Sequence, residues 1–468
     1  MKNKKPHIND FDYFYFLGIG GIGMSALARF FKAMDKQVCG YDKTQTSLTN
    51  ELQAENMIIH YDEDVKKIPA EILNSQNKTK VLIVHSPAVP KTHIEYQYFE
   101  DNNFCIKKRA EVLGMLTQDH FTIAVAGTHG KTTITSMITH VLHSNGIECT
   151  AFVGGITLNY ASNLVLSKKS KAIVVEADEY DRSFLNLYPD IAVISSIDPD
   201  HLDIYNTKLE IENTYAEFAN QIKTGGTLIY NADQAGNLVS QHKINASATS
   251  YSLNTADWKA SHISFFDDHS EYSITNKVEN IEKIKLGIPG KHNVENSLAA
   301  FIVAKQMNLS NEKIINALGT YKGVKRRFEY HIKTNKFIYI DDYAHHPREI
   351  EAFVKSVKNL YPNKKITGIF QPHLFTRTRD FLDQFAASLS LLDELMLLEI
   401  YPARELPIPG INAELLLNKV KLQNKKIYTK EEVIKKINEK ENGVILTIGA
   451  GDIDLLIKPI TEILKTKI

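Results

Sequence analysis

The sequence predicts an α/β protein of three successive blocks, and three observations carry that prediction. Short apolar runs rich in β-branched residues alternate with segments of helical periodicity along most of the 468 residues. Polar and charged residues follow those runs directly, at the carboxyl ends of the predicted strands, where open α/β sheets bind their ligands. Two of the strands run into glycine-rich turns, Gly18-Ile19-Gly20-Gly21-Ile22-Gly23 and Gly127-Thr128-His129-Gly130-Lys131-Thr132-Thr133. A chain of this length exceeds one ordinary domain. An apolar content of 43% and a charged content of 24% belong to a soluble globular protein.

In the first block, Tyr13 to Leu17 is a predicted strand. After the Gly18 turn comes a helix with Met24, Leu27, Ala28, Phe30 and Phe31 on its apolar face. A second strand, Gln37 to Tyr41, ends in Asp42. Glycines in a G-x-G-x-x-G turn let the backbone approach a diphosphate, and an acid about 20 residues on reaches a ribose hydroxyl. The pattern suits a dinucleotide, and equally any other nucleotide with a diphosphate. Val81 to Val84 is a further strand ending in His85-Ser86-Pro87, with His85 either facing a ligand or a satisfied strand-end histidine. Asn74 to Lys80 is polar and predicted as a surface loop. The block ends between Arg109 and Phe121.

The second block opens with a buried strand, Phe121 to Ala126, then the Gly127 turn, then a helix patterned by Ile134, Met137, Ile138, Val141 and Leu142. This is the layout of a phosphate-binding loop, although Val125 stands where the first Gly of G-x-x-x-x-G-K-[ST] belongs. Backbone N–H groups and a helix N-terminus face the anion, Lys131 adds positive charge, and the Thr132 hydroxyl is placed for a Mg²⁺ on the phosphates. Ala172 to Val175 is a strand ending in Glu176-Ala177-Asp178-Glu179-Tyr180-Asp181. Ile191 to Ile197 is the next, ending in Asp198-Pro199-Asp200-His201-Leu202-Asp203. Three strands thus set Lys131-Thr132, Glu176 and His201 at one edge. The rest of the block is richer in β structure, with strands at Gly226 to Tyr230, Thr249 to Leu253, Ile263 to Phe266 and Tyr272 to Ile274. Pro289 to Asn293 turns into a helix carrying Val294, Leu298, Phe301, Ile302 and Met307. Asn293 and Asn296 share a face near its start, where an amide can cap the helix or meet an adenine edge.

Lys322 to Tyr330 is basic and marks a second junction. Beyond it the strand–helix alternation resumes. Phe337 to Ile340 ends in Asp341-Asp342-Tyr343-Ala344-His345-His346-Pro347. Ile366 to Phe370 ends in Gln371-Pro372-His373, with Arg377 and Arg379 behind it. Leu395 to Ile400 and Gly443 to Ile448 complete a second doubly wound pattern.

Formal net charge is zero, which argues against a bulk electrostatic grip on nucleic acid or anionic membrane. Three cysteines, Cys39, Cys105 and Cys149, are odd in number and widely spaced, as expected of a protein in the reducing cytoplasm. Lys2, Lys4 and Lys5 precede an apolar stretch and Ala26-Leu27-Ala28 imitates a signal-peptidase site, but Asp10, Asp12 and the crowded glycines break the pattern, so secretion is not expected. No apolar run approaches the roughly 20 residues that span a bilayer, and no membrane insertion is expected.

Five stretches together resemble the Mur ligases, the ATP-dependent amide-forming enzymes of peptidoglycan precursor synthesis: Gly18 to Ala28, Gly127 to Thr133, Glu176 to Asp181, His292 to Asn296, and Asp342 to Pro347 with Gln371 to Arg379. The first and last are most similar to the member of the series that adds L-alanine to UDP-N-acetylmuramate. The resemblance implies three domains: a UDP-sugar-binding Rossmann-like domain at 1–110, a central P-loop ATPase-like domain at 111–325, and a C-terminal Rossmann-like domain at 326–468. It also implies roles. Lys131 would hold the β- and γ-phosphates within the turn Gly127, Thr128, His129, Gly130, Thr132 and Thr133. Thr132, Glu176 and His201 would hold Mg²⁺. Asn293 and Asn296 would meet adenine, Asp342 the ribose and Arg327 the phosphates. His345 and Arg377 would receive the alanine. Gly18, Gly20, Gly21, Gly23, Asp42, His85 and Ser86 would hold UDP-N-acetylmuramate.

Two departures from the family pattern stand out. No lysine occurs from Leu209 to Ile222, where relatives carry a carbamylated one, so no carbamate is expected. Pro372-His373-Leu374-Phe375 replaces the family's Pro-His-Arg-Tyr. Three rival readings remain. An NAD-dependent oxidoreductase leaves the Gly127 turn and Glu176 unexplained. A non-enzymatic nucleotide switch leaves the His and Arg cluster of the third block idle. A recycling ligase that attaches a whole tripeptide stays within the family.

Overall fold

Five parallel strands make the first sheet: β1 (Tyr13–Leu17), β2 (Gln37–Tyr41), β3 (Ile58–His60), β4 (Val81–His85) and β5 (Cys105–Lys108), in the order β3-β2-β1-β4-β5. These elements belong to a computed structural model that describes residues 6–167, 169–170, 172–198, 205, 207–403 and 405–468. Strand β1 is covered on both faces. Phe14 and Phe16 enter one apolar cluster, and Tyr15 and Leu17 enter another. Such two-sided burial is why it reads as a continuous apolar run without alternation. The chain winds outward from β1 in both directions, so the carboxyl ends of β1 and β4 meet at a topological switch point. The Gly18 turn and Ser86 sit there, with Ser86 N–H donating to Leu17 O at 3.0 Å.

The second sheet has ten strands: β6 (Phe121–Ala126), β7 (Cys149–Thr157), β8 (Ser162–Val165), β9 (Ala172–Ala177), β10 (Ile191–Ile194), β11 (Thr227–Asn231), β12 (Ser247–Ser252), β13 (Trp258–Phe265), β14 (Ser270–Thr275) and β15 (Asn280–Leu286). Their order is β15-β14-β13-β12-β11-β10-β6-β9-β7-β8, and β6 lies between β9 and β10, parallel to both. Helix Ile22–Ala33 of the first sheet packs on the β7–β8 hairpin. Asn163 Nδ2 donates to Ile22 O at 2.6 Å, and Phe30 meets Phe152 with ring centroids 5.5 Å apart. Ala26 to Ala28, the imitation cleavage site, are buried within that helix.

The third sheet holds β16 (Glu329–Lys333), β17 (Phe337–Asp342), β18 (Ile366–Phe370), β19 (Glu394–Leu397), β20 (Lys425–Ile427) and β21 (Gly443–Ile448), ordered β16-β17-β21-β18-β19-β20. Only β16 runs antiparallel to its neighbour. Apolar clusters cover both faces, one around Ile340, Phe353 and Phe370 and the other around Tyr339, Ile369 and Ile445. The chain divides into two compact units. The first comprises 1–264, 271–287 and 293–322 and carries the first two sheets; the second comprises 265–270, 288–292 and 323–468 and carries the third sheet. Among the described residues, no helix is long and apolar enough to cross a membrane.

Several elements depart from the sequence expectation. Ser75 to Lys80, expected as part of a loop, forms a 3₁₀ helix. The strand expected from Ile191 to Ile197 stops at Ile194, because Ser195 onward bends back onto the Gly127 turn. β16 lies within and beyond the predicted basic junction. It is an edge strand with polar residues at most positions, so it lacks the apolar run that betrays the inner strands.

Candidate functional site

Gly127 and Gly130 adopt φ of 135° and 83°, in the half of φ space that favours glycine. Contact excludes side chains there as well. A Cβ on Gly127 would lie 2.1 Å from Ser195 Oγ, and one on Gly130 would lie 2.7 Å from Asn296 Oδ1. The segment following β10 locks the turn. Thr128 N–H donates to Ser196 O at 3.2 Å, His129 N–H to Ser196 Oγ at 2.9 Å, and Asp198 N–H to Thr128 Oγ1 at 2.9 Å. Ser195 Oγ donates to His129 O, and His129 Nε2 lies 3.3 Å from Asp198 Oδ2. The turn delivers the start of helix Lys131–Ser144, whose first amides, on Lys131, Thr132 and Thr133, have no carbonyl within the helix to bond. Those amides and the positive end of the helix are groups that can receive an anion.

Lys131 is the charged residue of that site. Its Nζ donates to Gly127 O at 2.7 Å and to the two carboxylate oxygens of Glu179 at 2.9 and 2.8 Å. Burial pulls its pKa down, but the carboxylates of Glu179, Asp178 and Glu176 outweigh burial and hold it above the ordinary lysine value. Strand β9 pairs with β6 so that Ala177 lies opposite Ala126, which brings Glu176 to the turn. Thr132 Oγ1 donates to Glu176 Oε2 at 3.2 Å, and Gly154 N–H donates to Glu176 Oε1 at 2.5 Å. Lys131, Thr132, Glu176 and Asn296 therefore converge. Asn293 is buried on the same helix as Asn296, Lys291–Gln306. His201 lies outside the described residues, as do Pro199, Asp200, Leu202 and Asp203.

At the first sheet the glycine-rich turn is closed mainly on itself. Gly18 and Ile19 N–H donate to Tyr41 O at 2.8 and 3.0 Å, and Gly21 N–H donates to Gly18 O at 3.3 Å. Asp42 accepts Gly20 N–H at 2.7 Å and Thr44 N–H at 3.1 Å, one on each carboxylate oxygen. A Cβ on Gly20 would meet Thr49 Cγ2 at 2.7 Å and Asp42 Oδ2 at 2.8 Å, so the protein itself requires that glycine. His85 is buried against the edge of Tyr96, with centroids 5.3 Å apart, and among the described residues its Nδ1 has no hydrogen-bond partner. Burial holds its pKa below the ordinary histidine value. Arg109 joins this site without having been marked by the sequence, where it stood only at a block boundary. Its guanidinium covers Gly23, where a Cβ would lie 2.8 Å from an Arg109 terminal nitrogen.

In the second unit, Asp342 at the end of β17 accepts Phe328 N–H and Ala344 N–H, each at 2.8 Å. Burial raises its pKa to about 7, against the lowering effect of Arg327 and of the two amides. Arg327 and Arg326 both face the Tyr343 ring at 5.2 Å, and Arg327 lies 3.8 Å from Glu349 Oε1. His345 Nδ1 is 3.1 Å from Tyr343 O, and its ring is 6.2 Å from that of His373. His373 in turn stacks on Tyr401 at 5.7 Å. Arg377 is buried on the short helix Phe375–Asp380. Among the described residues, Glu329, His331 and Asp341 form the one His/carboxylate group tight enough for a metal ion. There Arg326 Nε already meets Asp341 at 3.0 Å.

Three family models match in series: the Mur ligase family catalytic domain at residues 13–121, the Mur ligase middle domain at 125–304, and the Mur ligase glutamate ligase domain at 326–451. The UDP-N-acetylmuramate–L-alanine ligase of Flavobacterium psychrophilum is 46% identical over 98% of this chain and 100% of its own length. That of Cytophaga hutchinsonii is 45% identical over 95% of each. The chain belongs to the Mur ligase family. The crystal structure of UDP-N-acetylmuramate-alanine ligase from Thermotoga maritima matches with a TM-score of 0.81 at 25% identity, over 97% of this chain and 99% of that one. A murein peptide ligase from Psychrobacter arcticus shares the fold, with a TM-score of 0.70 at 22% identity over 97% of this chain and 99% of its own. In this Mur ligase, the Gly127 turn, Glu176 and Asn296 fall within the middle-domain match. The Gly18 turn and Arg109 fall within the first match, and Arg327 to Arg377 within the third.

Proposed function

We infer that this Mur ligase joins L-alanine to the carboxylate of UDP-N-acetylmuramate with hydrolysis of ATP, an early step of peptidoglycan precursor synthesis. The observation that carries the reading is the convergence of Lys131, Thr132 and Glu176 at adjoining strand ends, in a chain that aligns nearly end to end with L-alanine-adding relatives. Identity at that level over the full length favours alanine over a tripeptide as the added group.

A carboxylate resists attack by an amine because its oxygen is a poor leaving group. Transfer of the γ-phosphoryl group from ATP converts it to an acyl phosphate. The alanine nitrogen then adds to the acyl carbon, and the tetrahedral intermediate expels phosphate. Phosphoryl transfer depends chiefly on positioning and charge neutralisation. In our reading, Lys131 and the first amides of helix Lys131–Ser144 neutralise the phosphates, and Asn293 and Asn296 recognise adenine. We assign Arg327 to the phosphates, Asp342 to the ribose, and His345 with Arg377 to the alanine. The Gly18 turn, Asp42, His85 and Ser86 take the sugar nucleotide, and Arg109 joins them as a cation for its diphosphate. We assign these tasks to blocks 1–110, 111–325 and 326–468.

Thr132 Oγ1 and Glu176 form an all-oxygen donor pair, the type that Mg²⁺ prefers, so the residues present fit that ion. Bound there, Mg²⁺ would neutralise charge on the transferring phosphoryl group. His201, a further proposed ligand, lies outside the described residues. We place the reaction in the cytoplasm, consistent with the unpaired thiols of Cys39, Cys105 and Cys149. Phosphate release measured with UDP-N-acetylmuramate, ATP and a panel of amino acids plus the tripeptide tests the reading. Release with L-alanine supports it; release only with the tripeptide, or none with any acceptor, overturns it.

A further inference from the structure

A buried asparagine ties the first helix of one nucleotide site to the strand hairpin beside the other. Asn163 stands on β8 and is fully buried. A side-chain amide carries N–H donors and an acceptor oxygen, and burying it is costly unless those groups are bonded. Here they are spent on helix Ile22–Ala33. Nδ2 donates to Ile22 O at 2.6 Å and to Ser25 Oγ at 3.3 Å, and Oδ1 accepts from Arg29 Nη1 at 3.3 Å. Residues 22, 25 and 29 follow one face of a helix, and Ile22 is the first residue of this one. Arg29 also meets Glu51 and Glu55, at 2.8 and 2.7 Å, on and just after helix Ser47–Ala54. Packing alone would be served by an apolar residue, as it is where Phe152 of the same hairpin meets Phe30.

The same hairpin reaches the other site. β7 runs parallel to β9, with Phe152 opposite Val175, and just beyond that pair Gly154 N–H donates to Glu176 Oε1 at 2.5 Å. A Cβ on Gly154 would lie 2.5 Å from Glu176 Oε2, so the strand stays bare there to admit the carboxylate. Glu176 Oε2 accepts from Thr132 Oγ1 at 3.2 Å, at the start of helix Lys131–Ser144. Between Gly154 and Asn163 the hairpin is closed by the pairing of Thr157 with Ser162, where Thr157 Oγ1 donates to Ser162 O at 3.1 Å. Hydrogen bonds and backbone thus run unbroken from Thr132, through Glu176, Gly154, the hairpin and Asn163, to Ile22. We propose that Asn163 is a positioning residue for phosphoryl transfer: through Ile22 it sets where the sugar nucleotide stands relative to the triphosphate. The proposal rests on the assignment of the Gly18 turn to UDP-N-acetylmuramate and of the Gly127 turn to ATP. The muramic carboxylate must meet the γ-phosphate in line, yet the two reactants are carried by different sheets. A displacement of one helix start by about 1 Å is enough to slow the transfer while leaving each site whole.

The test uses Asn163→Ala and Asn163→Asp in the full chain. Alanine removes every contact of the amide. Aspartate keeps the size and the acceptor for Arg29 but has no N–H for Ile22 O, and it decides the question alone if Asn163→Ala does not fold. ADP formation is followed in a single turnover, with enzyme in excess over ATP and with Mg²⁺, UDP-N-acetylmuramate and L-alanine saturating. It is expected to slow about tenfold or more in both variants. UDP-N-acetylmuramate and a non-hydrolysable ATP analogue, each titrated alone by calorimetry, are expected to bind as they do to the wild type. A residue that only fills the interface would lower the melting temperature and leave the saturated rate of the folded enzyme unchanged, and that result overturns the proposal. A slower rate with weaker binding of either nucleotide alone would place Asn163 within that nucleotide's own site, and it also overturns the proposal. Wild-type turnover separates the two levels. If the wild type forms no ADP with these substrates, the assignment of function falls and the proposal with it; if it does and both variants match it, the proposal falls alone.

Discussion

Replacing Glu95 by Gln is expected to stabilise the first sheet at pH 8 and to leave it nearly unchanged at about pH 4. Glu95 is fully buried. Its Oε2 lies 2.5 Å from Tyr15 Oη, which lies 2.8 Å from His60 Nε2, and His60 Nδ1 lies 2.9 Å from Asp62 O. Asp62 O can only accept, so Nδ1 carries a proton. Tyr15 has one hydroxyl proton and two neighbours. With Glu95 ionised and His60 neutral, that proton serves only one of them, and the other contact sets lone pair against lone pair. One further proton, on Glu95 or on His60 Nε2, completes both bonds. Burial raises the Glu95 carboxyl from 4.5 to about 7, helped by the charges of Glu63 and Asp64 and opposed by the Tyr15 hydrogen bond. Burial also holds His60 below its ordinary value, against Asp62 and Asp64. Because the folded value of Glu95 lies above the unfolded one, its stabilisation is complete below pH 4.5 and is lost as pH rises to 7. A carboxyl shifted from 4.5 to about 7 carries about 3 kcal/mol of such linkage. Gln supplies an N–H to Tyr15 at every pH and abolishes the loss. Hydrogen exchange of the β1 and β4 amides, compared with the wild type at each pH, is expected to show nearly equal protection at about pH 4 and up to about a hundredfold more in the variant at pH 8. A difference independent of pH, or weaker protection at pH 8, would refute the reasoning.

Four more outcomes follow from the sites. Lys131→Ala removes a donor from the transferring phosphoryl group, so kcat is expected to fall about 10²–10³-fold. It also takes the ammonium away from buried Glu179, which should lower the melting temperature; adding Glu179→Gln should recover part of the melting temperature but not turnover. Glu176→Gln keeps shape and removes charge, so activity titrated against Mg²⁺ should require more of the ion; an unchanged titration would make Glu176 a structural acceptor for Thr132 and Gly154. Gly20→Val drives a side chain into Thr49 and Asp42 and should raise KM for the sugar nucleotide far more than KM for ATP. Arg109→Ala should raise KM for UDP-N-acetylmuramate with kcat retained, and steady-state kinetics with a far-UV spectrum to confirm folding checks both of these last variants.

The sequence exposed the buried parallel strands because two-sided burial leaves an unbroken apolar signature, as in Phe121 to Ala126 and Ile366 to Phe370. Half-covered or polar edge strands left none. Cys105–Lys108 and Lys425–Ile427 contain lysines that lean into solvent, and Cys149–Thr157 is interrupted by Gly154 and Gly155. The site was legible where chemistry demands a residue type at a fixed step from a strand end, as with Lys131, Thr132 and Glu176. It was illegible where a residue acts across the fold. Nothing local distinguishes Glu179 from Asp178 or Asp181, and its ion pair emerges only when the β6–β9 register sets it beside Lys131. Arg109 is hidden for the same reason, since it reaches Gly23 from the start of a different helix.

The two glycine-rich turns suggest what such a motif encodes physically. In neither turn are all the loop amides available to a ligand. Gly18, Ile19, Gly20 and Gly21 donate to Tyr41, Asp42 and Gly18. Thr128 and His129 donate to Ser196. The glycines permit a turn tight enough to close on the protein's own groups, and what the turn then presents is the start of a helix. An anion would therefore meet the first amides of helix Ile22–Ala33 in one site and of helix Lys131–Ser144 in the other. The difference between the sites lies in how the cation is supplied. The second carries Lys131 within its own first helical turn, which suits a phosphate that must be neutralised during transfer. The first begins Ile22-Gly23-Met24 with no charge of its own, and Arg109 covers it from a neighbouring helix. A diphosphate that is held but not transferred needs no more than that. The placement of charge thus supports the assignment of sugar nucleotide to one turn and ATP to the other, which the shared glycine pattern alone leaves open.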